Sequence, residues 1–257
     1  IWDKAKADEL FQTVQNADKA EITETKKRSP QSPGRLYDLT TLQREANRLH
    51  HYPASRTLQI AQSLYERHKV ITYPRTDSKA LPEDYAPTCK NLLESISGEL
   101  AQYAQKALQS DWVDEKNKKI FNNKQISDHF AIIPTSTSPA KLEANERKIY
   151  NLITKRFISV FYPPAQWDVT TRTSTLSGLD FKTEGRVLVE PSWLAIYGKD
   201  NQPEDTLPAL SSADNDQANV IKSELEKDQT NPPPRYSEAT LLSAMEGAGK
   251  LVDDEEL

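Results

Sequence analysis

The sequence holds one cysteine and one methionine in 257 residues, and only seven glycines against sixteen prolines. A single cysteine excludes an intramolecular disulfide framework and a cysteine-based zinc cluster, and it suits a reducing compartment. No apolar run approaches the ~18 residues that a membrane span needs, and no basic-then-apolar leader opens the chain, so a cytoplasmic location is expected. No glycine-rich GxxxxGK loop is present to cradle a nucleotide phosphate. What is present is 36% hydrophobic and 28% charged residues, enough to build one large domain or two to three smaller ones.

The net charge of −5 conceals a strong asymmetry. Residues 35–79 carry eight Lys or Arg against four Asp or Glu and hold three of the four histidines, whereas residues 200–257 carry four basic groups against fourteen acidic ones. Attraction to a polyanion follows the local field, so a basic block inside an acidic chain is compatible with phosphate binding. A solvated helix face fits the same block equally well.

Periodicity predicts a helix over Asp3–Asn16, from Ala7, Leu10, Phe11 and Val14. A strand is expected over Lys19–Lys27 and a break at Ser29–Gly34. Thr40 or Thr41 is expected to cap a helix buried along Leu42, Ala46 and Leu49, and Ser55 to cap a second one. Two short helices in tight succession resemble a helix-turn-helix arrangement. Val70–Pro74 reads as extended, Pro82–Gln109 and Leu142–Phe161 as largely helical, and Trp167–Val189 as a β-hairpin around Ser177-Gly178. Val220–Thr230 is a further strand candidate, and Ser237 opens a last helix. This order implies an α+β chain with a helical insertion in a β-rich domain.

Chemistry concentrates in two segments. In Ile71-Thr72-Tyr73-Pro74-Arg75-Thr76-Asp77-Ser78, the proline restricts Tyr73 to extended backbone, which sends Arg75 to the same side. A tyrosine hydroxyl needs neighbours that favour phenolate before it can act as a nucleophile. An arginine beside it could fork onto phosphate oxygens and offset transition-state charge. The same tripeptide also fits a strand tyrosine beside a surface arginine. In Ser127-Asp128-His129-Phe130-Ala131-Ile132-Ile133-Pro134-Thr135, His129 is suited to phosphate contact or proton transfer, or to a structural place before an apolar run.

Four ordered segments, Leu36–Ala46, Ile71–Ser78, Asp128–Thr135 and Arg235–Leu242, resemble those of a type IA DNA topoisomerase, with Ile132-Ile133-Pro134-Thr135 closest to the topoisomerase III branch. The resemblance implies a toroidal arch. Residues 1–36 and 161–230 would build a β-rich hinge domain, 37–160 a helical domain bearing the nucleophile, and 231–257 part of the next domain. It also implies that Tyr73 forms a 5′-phosphotyrosine, that Arg75 positions the scissile phosphate and that His129 lies near that phosphate. Arg44, Arg48, Arg56 and Lys79 are expected to contact the backbone of single-stranded DNA, with the protein a monomer on the bacterial nucleoid. The Mg²⁺ of the full-length enzyme is expected outside this chain, in an amino-terminal domain that this central fragment lacks. Asp253–Glu256 is expected to be a solvated tail. Two other function classes fit the residues: a non-catalytic single-stranded DNA module in which Tyr73 packs or stacks on a base, and a duplex-specific helix-turn-helix regulator, against which the acidic net charge argues.

Overall fold

Residues 2–198, 207 and 217–248 are described by the computed structural model, and they fall into two units. The first comprises the described residues of Ile1–Gln31, Ala165–Pro191 and Lys199–Pro233; the second comprises those of Ser32–Pro164, Ser192–Gly198 and Pro234–Leu257. The chain thus leaves one unit at Gln31, builds most of the other, and returns at Ala165.

The first unit is an antiparallel sheet with strand order β3-β2-β1-β4, formed by β1 (Lys19–Gln31), β2 (Ala165–Leu176), β3 (Leu179–Glu190) and β4 (Gln217–Asn219). Ser177 (φ 48°) and Gly178 (φ 80°) form the β2–β3 loop, and two left-handed residues match the twist of the flanking strands. Glu24 faces Arg172 in register and accepts from its Nε at 2.8 Å and its Nη2 at 2.6 Å. Helix α1 (Lys4–Val14) starts at Asp3, whose carboxylate accepts from Lys6 N. Its Val14 and Phe11 close a small core over Ala20, Ile22 and Leu176.

Two expectations about this sheet are overturned. The break expected from Ser29 begins only after Gln31, because β1 runs on through Pro30, which pairs with Gln166. β4 covers only Lys19–Glu21, so the far end of β1 has an open edge, where a residue without an N–H is tolerated. The strand expected over Val220–Thr230 is absent: pairing ends at Asn219, after which Val220 N donates to Asp18 O at 2.9 Å. The run beyond carries five charged residues and leaves Ile221 99% exposed, so it offers no apolar face to a sheet.

The second unit contains α2 (Leu39–His50), α3 (Ala54–Glu66), α4 (Ala86–Ser95), α5 (Ala101–Gln109), α6 (Ala144–Ser159) and α7 (Glu238–Glu246). Asp38, not Thr40 or Thr41, caps α2: its carboxylate accepts from Thr41 N at 2.7 Å, and both threonines already lie within the helix. Ser55 likewise lies inside α3, whose N-cap position is Pro53 with no side chain to offer. The Glu238 carboxylate of α7 fills that role, accepting from Ala54 N at 2.8 Å, as favours an anion at a helix N-terminus. Leu42 and Ala46 are buried as expected, but Leu49 is 42% exposed. The expected helix over Pro82–Gln109 is two helices, α4 starting only at Ala86, joined through a 3₁₀ turn at Gly98–Leu100.

Helix α6 serves two cores. Ile149, Leu152 and Ile153 meet Leu42, Leu64, Ile71 and Tyr37 on one side, while Phe157 and Ile158 meet Leu36, Leu81, Leu93 and Phe121 on the other. Each fully buried side chain of this kind stabilises by about 1.5–3 kcal/mol.

Candidate active site

The residues around Tyr73 are held by hydrogen bonds between segments far apart in sequence. Ile71 and Pro134 form an antiparallel bridge, Thr72 N donates to Ile133 O at 3.0 Å, and Thr135 N donates to Val70 O at 2.9 Å. The Thr72 hydroxyl both donates to Ala131 O and accepts from Ile133 N, each at 3.0 Å. Farther along, Thr76 Oγ1 donates to His129 O at 2.8 Å, and Leu39 N donates to Thr76 O at 3.0 Å. Tyr37 pairs with Ile132. Three of the four segments singled out in the sequence therefore meet here. The fourth lies apart from them, where its Glu238 accepts from Ala54 N at the start of α3 at 2.8 Å.

This stitching leaves Tyr73 half-buried between two rings. The His129 imidazole lies 4.3 Å from the Tyr73 ring, centre to centre and tilted by 48°, and Tyr65 meets it edge-on at 5.4 Å. Arg75 is exposed but anchored: with the Gln62 amide oriented by its hydrogen bonds, its oxygen accepts from Arg75 Nη2 at 3.0 Å and from Nε at 3.2 Å. The other guanidinium nitrogen, Nη1, has no hydrogen-bond partner among the described residues and can reach an anion. A tyrosine hydroxyl beside an exposed imidazole, with an exposed guanidinium two residues on, is a set of groups with which a phosphodiester can be bound and attacked.

A sequence profile described as DNA topoisomerase matches residues 1–249. The chain belongs to the DNA topoisomerase family. It is 39% identical over 248 residues to DNA topoisomerase 3 of Bacillus licheniformis, covering 92% of this chain and 33% of that protein. With DNA topoisomerase 3 of Bacillus subtilis it shares 39% identity over 247 residues, again covering 92% of this chain and 33% of the relative. The chain thus spans about a third of the length of the curated relatives it matches. Full-length topoisomerase I from Thermotoga maritima superposes with a TM-score of 0.66 at 23% identity, over 97% of this chain and 40% of that one; the shared architecture is the α+β fold of type IA topoisomerases.

Among the other residues singled out in the sequence, Arg44 and Lys79 come together. Arg44 Nη1 lies 3.1 Å from Glu246 Oε2, and Lys79 Nζ lies 3.2 Å from both Glu246 Oε1 and Asp38 Oδ2. Arg48 pairs with Glu45 at 3.2 Å and lines the same α2–α7 groove as Arg44. Arg56 stands apart from them, its guanidinium 5.1 Å from the centre of the Tyr52 ring, beside a separate cavity. Sequence reasoning missed Gln62 and Tyr65. Both follow the buried Ala61 and Leu64 on α3; helical spacing shows the face they share but not that it meets Tyr73 and Arg75. Among the described residues no three His, Cys, Asp or Glu side chains gather as a metal site, and no helix is long and apolar enough to cross a membrane. Asp253–Glu256 lies outside the described residues.

Proposed function

We propose that this chain is the nucleophile-bearing part of an enzyme that cuts and rejoins one DNA strand without ATP. The observation that supports this reading is the packing of the exposed His129 imidazole on the Tyr73 ring, across segments more than fifty residues apart, with the exposed Arg75 two residues beyond Tyr73 in the chain. The Tyr73 oxygen attacks phosphorus, forming a phosphotyrosine ester to the 5′ end as the bond to the 3′ oxygen breaks. The phenolic proton leaves, and the 3′ oxygen gains a proton. Arg75, braced by Gln62, holds the scissile phosphate and offsets charge on its oxygens. The His129 imidazole sits against the attacking ring, where it can share a proton or contact the phosphate. The ester retains the energy of the broken linkage, so the reverse attack by the 3′ hydroxyl reseals the strand.

In the same reading the sheet unit serves as hinge and the helical unit as the arm that lifts for strand passage. A single DNA strand on the bacterial nucleoid is the substrate, and the protein acts as a monomer. Mg²⁺ belongs to the complete enzyme; among the described residues no three His, Cys, Asp or Glu side chains gather to hold it.

A covalent-trapping assay tests the proposal. The chain, joined to the flanking regions of the Bacillus subtilis relative, is incubated with a 3′-labelled single-stranded oligonucleotide and Mg²⁺, then denatured in detergent. Protein-linked label that vanishes in Tyr73→Phe is the expected result. Label that persists in Tyr73→Phe would overturn the assignment. The chain by itself is expected to bind single-stranded DNA weakly and to leave supercoiled DNA unrelaxed.

A further inference from the structure

Helix α7 lies on α2 and α3 through charge and hydroxyl groups. None of its residues is fully buried, while Leu241 and Met245 face solvent. Its two described carboxylates contact donors at both ends of the helix. Glu246 bridges Arg44 and Lys79, one oxygen 3.1 Å from Arg44 Nη1 and the other 3.2 Å from Lys79 Nζ. Eight residues earlier, Glu238 occupies the start of α3, accepting from Ala54 N where Pro53 supplies no cap. Both positions suit anions: a paired guanidinium and ammonium at one, the free N–H groups of a helix N-terminus at the other. Between α2 and α7 runs a groove of about 560 Å³ in which Arg44, Arg48, Asn47 and His51 face α7 hydroxyls.

We propose that α7 is a displaceable acidic cover, whose Glu246 and Glu238 carboxylates occupy places that two backbone phosphates of single-stranded DNA take when it is lifted. The proposal rests on the reading of single-stranded DNA as the ligand. The physical case is one of matched strength. An exposed carboxylate–cation pair is weak and screened by salt, and α7 adds no buried side chain to hold it down. A polyanion that also gains counterion-release entropy can therefore compete for the same donors. Arg44 gains most from the exchange, because Lys79 keeps Asp38 as a second partner at 3.2 Å, whereas Ser243 leaves with α7 and the remaining Arg44 partner is the neutral Thr41 hydroxyl.

Fluorescence anisotropy of a labelled single-stranded oligonucleotide with the 257-residue chain tests this directly. Glu246→Gln keeps the side-chain shape and removes the charge, and is expected to tighten binding about fivefold at low salt, the size of one exposed ion pair. Glu99→Gln, on the exposed 3₁₀ turn before α5, changes net charge equally and is expected to tighten binding far less. In an Arg44→Ala background the Glu246→Gln gain is expected to vanish. Equal gains from Glu246→Gln and Glu99→Gln, or a gain that survives Arg44→Ala, would overturn the cover. An unchanged affinity in Glu246→Gln, with Arg44→Ala still weakening binding, would overturn the cover and leave the DNA reading standing. No binding by any variant would remove the DNA reading and this proposal together.

Discussion

At the scale of single residues, the side chain that holds the site's surroundings in place is Arg156. Its guanidinium donates to Arg35 O at 2.9 Å, to the Tyr37 hydroxyl at 3.3 Å and to Glu45 Oε2 at 2.7 Å, and it stacks 4.4 Å from the Tyr37 ring centre. Removing one partner of a largely buried ion pair strands the other, so Arg156→Met is expected to lower unfolding stability by about 3 kcal/mol in urea titrations. A Cβ at Gly34 would collide with the Arg156 guanidinium. Because that group is anchored on three sides, Gly34→Ala is expected to cost about 1–2 kcal/mol in the same titration. Tyr73 gives the contrasting case. Among the described residues it contacts two rings, and none hydrogen-bonds its hydroxyl, so Tyr73→Phe is expected to unfold within about 0.5 kcal/mol of the parent. A large loss of stability would assign the hydroxyl a structural role instead.

At the scale of elements, α6 carries a pH-sensitive anchor. Burial works to raise the Glu146 carboxyl, but hydrogen bonds from Ser63 and from the Glu143 amide, with His68 alongside, hold it below its ordinary value. A depressed carboxylate contributes stability that is present above the unfolded value of about 4.3 and is lost as pH falls through the folded one. Denaturant titrations are therefore expected to show stability falling below about pH 4, with Glu146→Gln flattening that part of the fall. An acid limb unchanged by the substitution would contradict the assignment. In α4, burial pushes the Cys89 thiol up to about 12, so it should resist a thiol reagent at pH 8 until the chain is unfolded. Most elements were legible in the sequence because their apolar spacing survives in the fold: α1, α6 and the β2–β3 hairpin lie where periodicity and the Ser177-Gly178 turn put them. What escaped was decided by distant partners. Pro53 starts α3 because Glu238, from the far end of the chain, supplies the anion. Pro30 stays in β1 because its edge is open, and Val220–Thr230 fails as a strand because its pairing partner ends.

At the scale of the whole molecule, four short segments spread over about two hundred residues carry the family resemblance, and three of them build the candidate site. Tyr37 reaches Ile132, Ile71 reaches Pro134, Thr76 reaches His129 O and Leu39 N, and α7 lies on α2. Tyr73, Arg75 and His129 could be named from the sequence because their motifs are local. Gln62 and Tyr65 could not, because helical spacing shows which face they share and not what that face meets. The same limit applied to Arg44 and Lys79: the sequence showed two basic residues, and only the fold shows one carboxylate between them. The reading stands on the Tyr73 oxygen as the nucleophile that bonds to phosphorus. Its most direct test is mass spectrometry of the trapped complex after trypsin and nuclease digestion. The account predicts a nucleotide on the peptide from Val70 to Arg75, attached at Tyr73. A nucleotide attached at any other residue would contradict it.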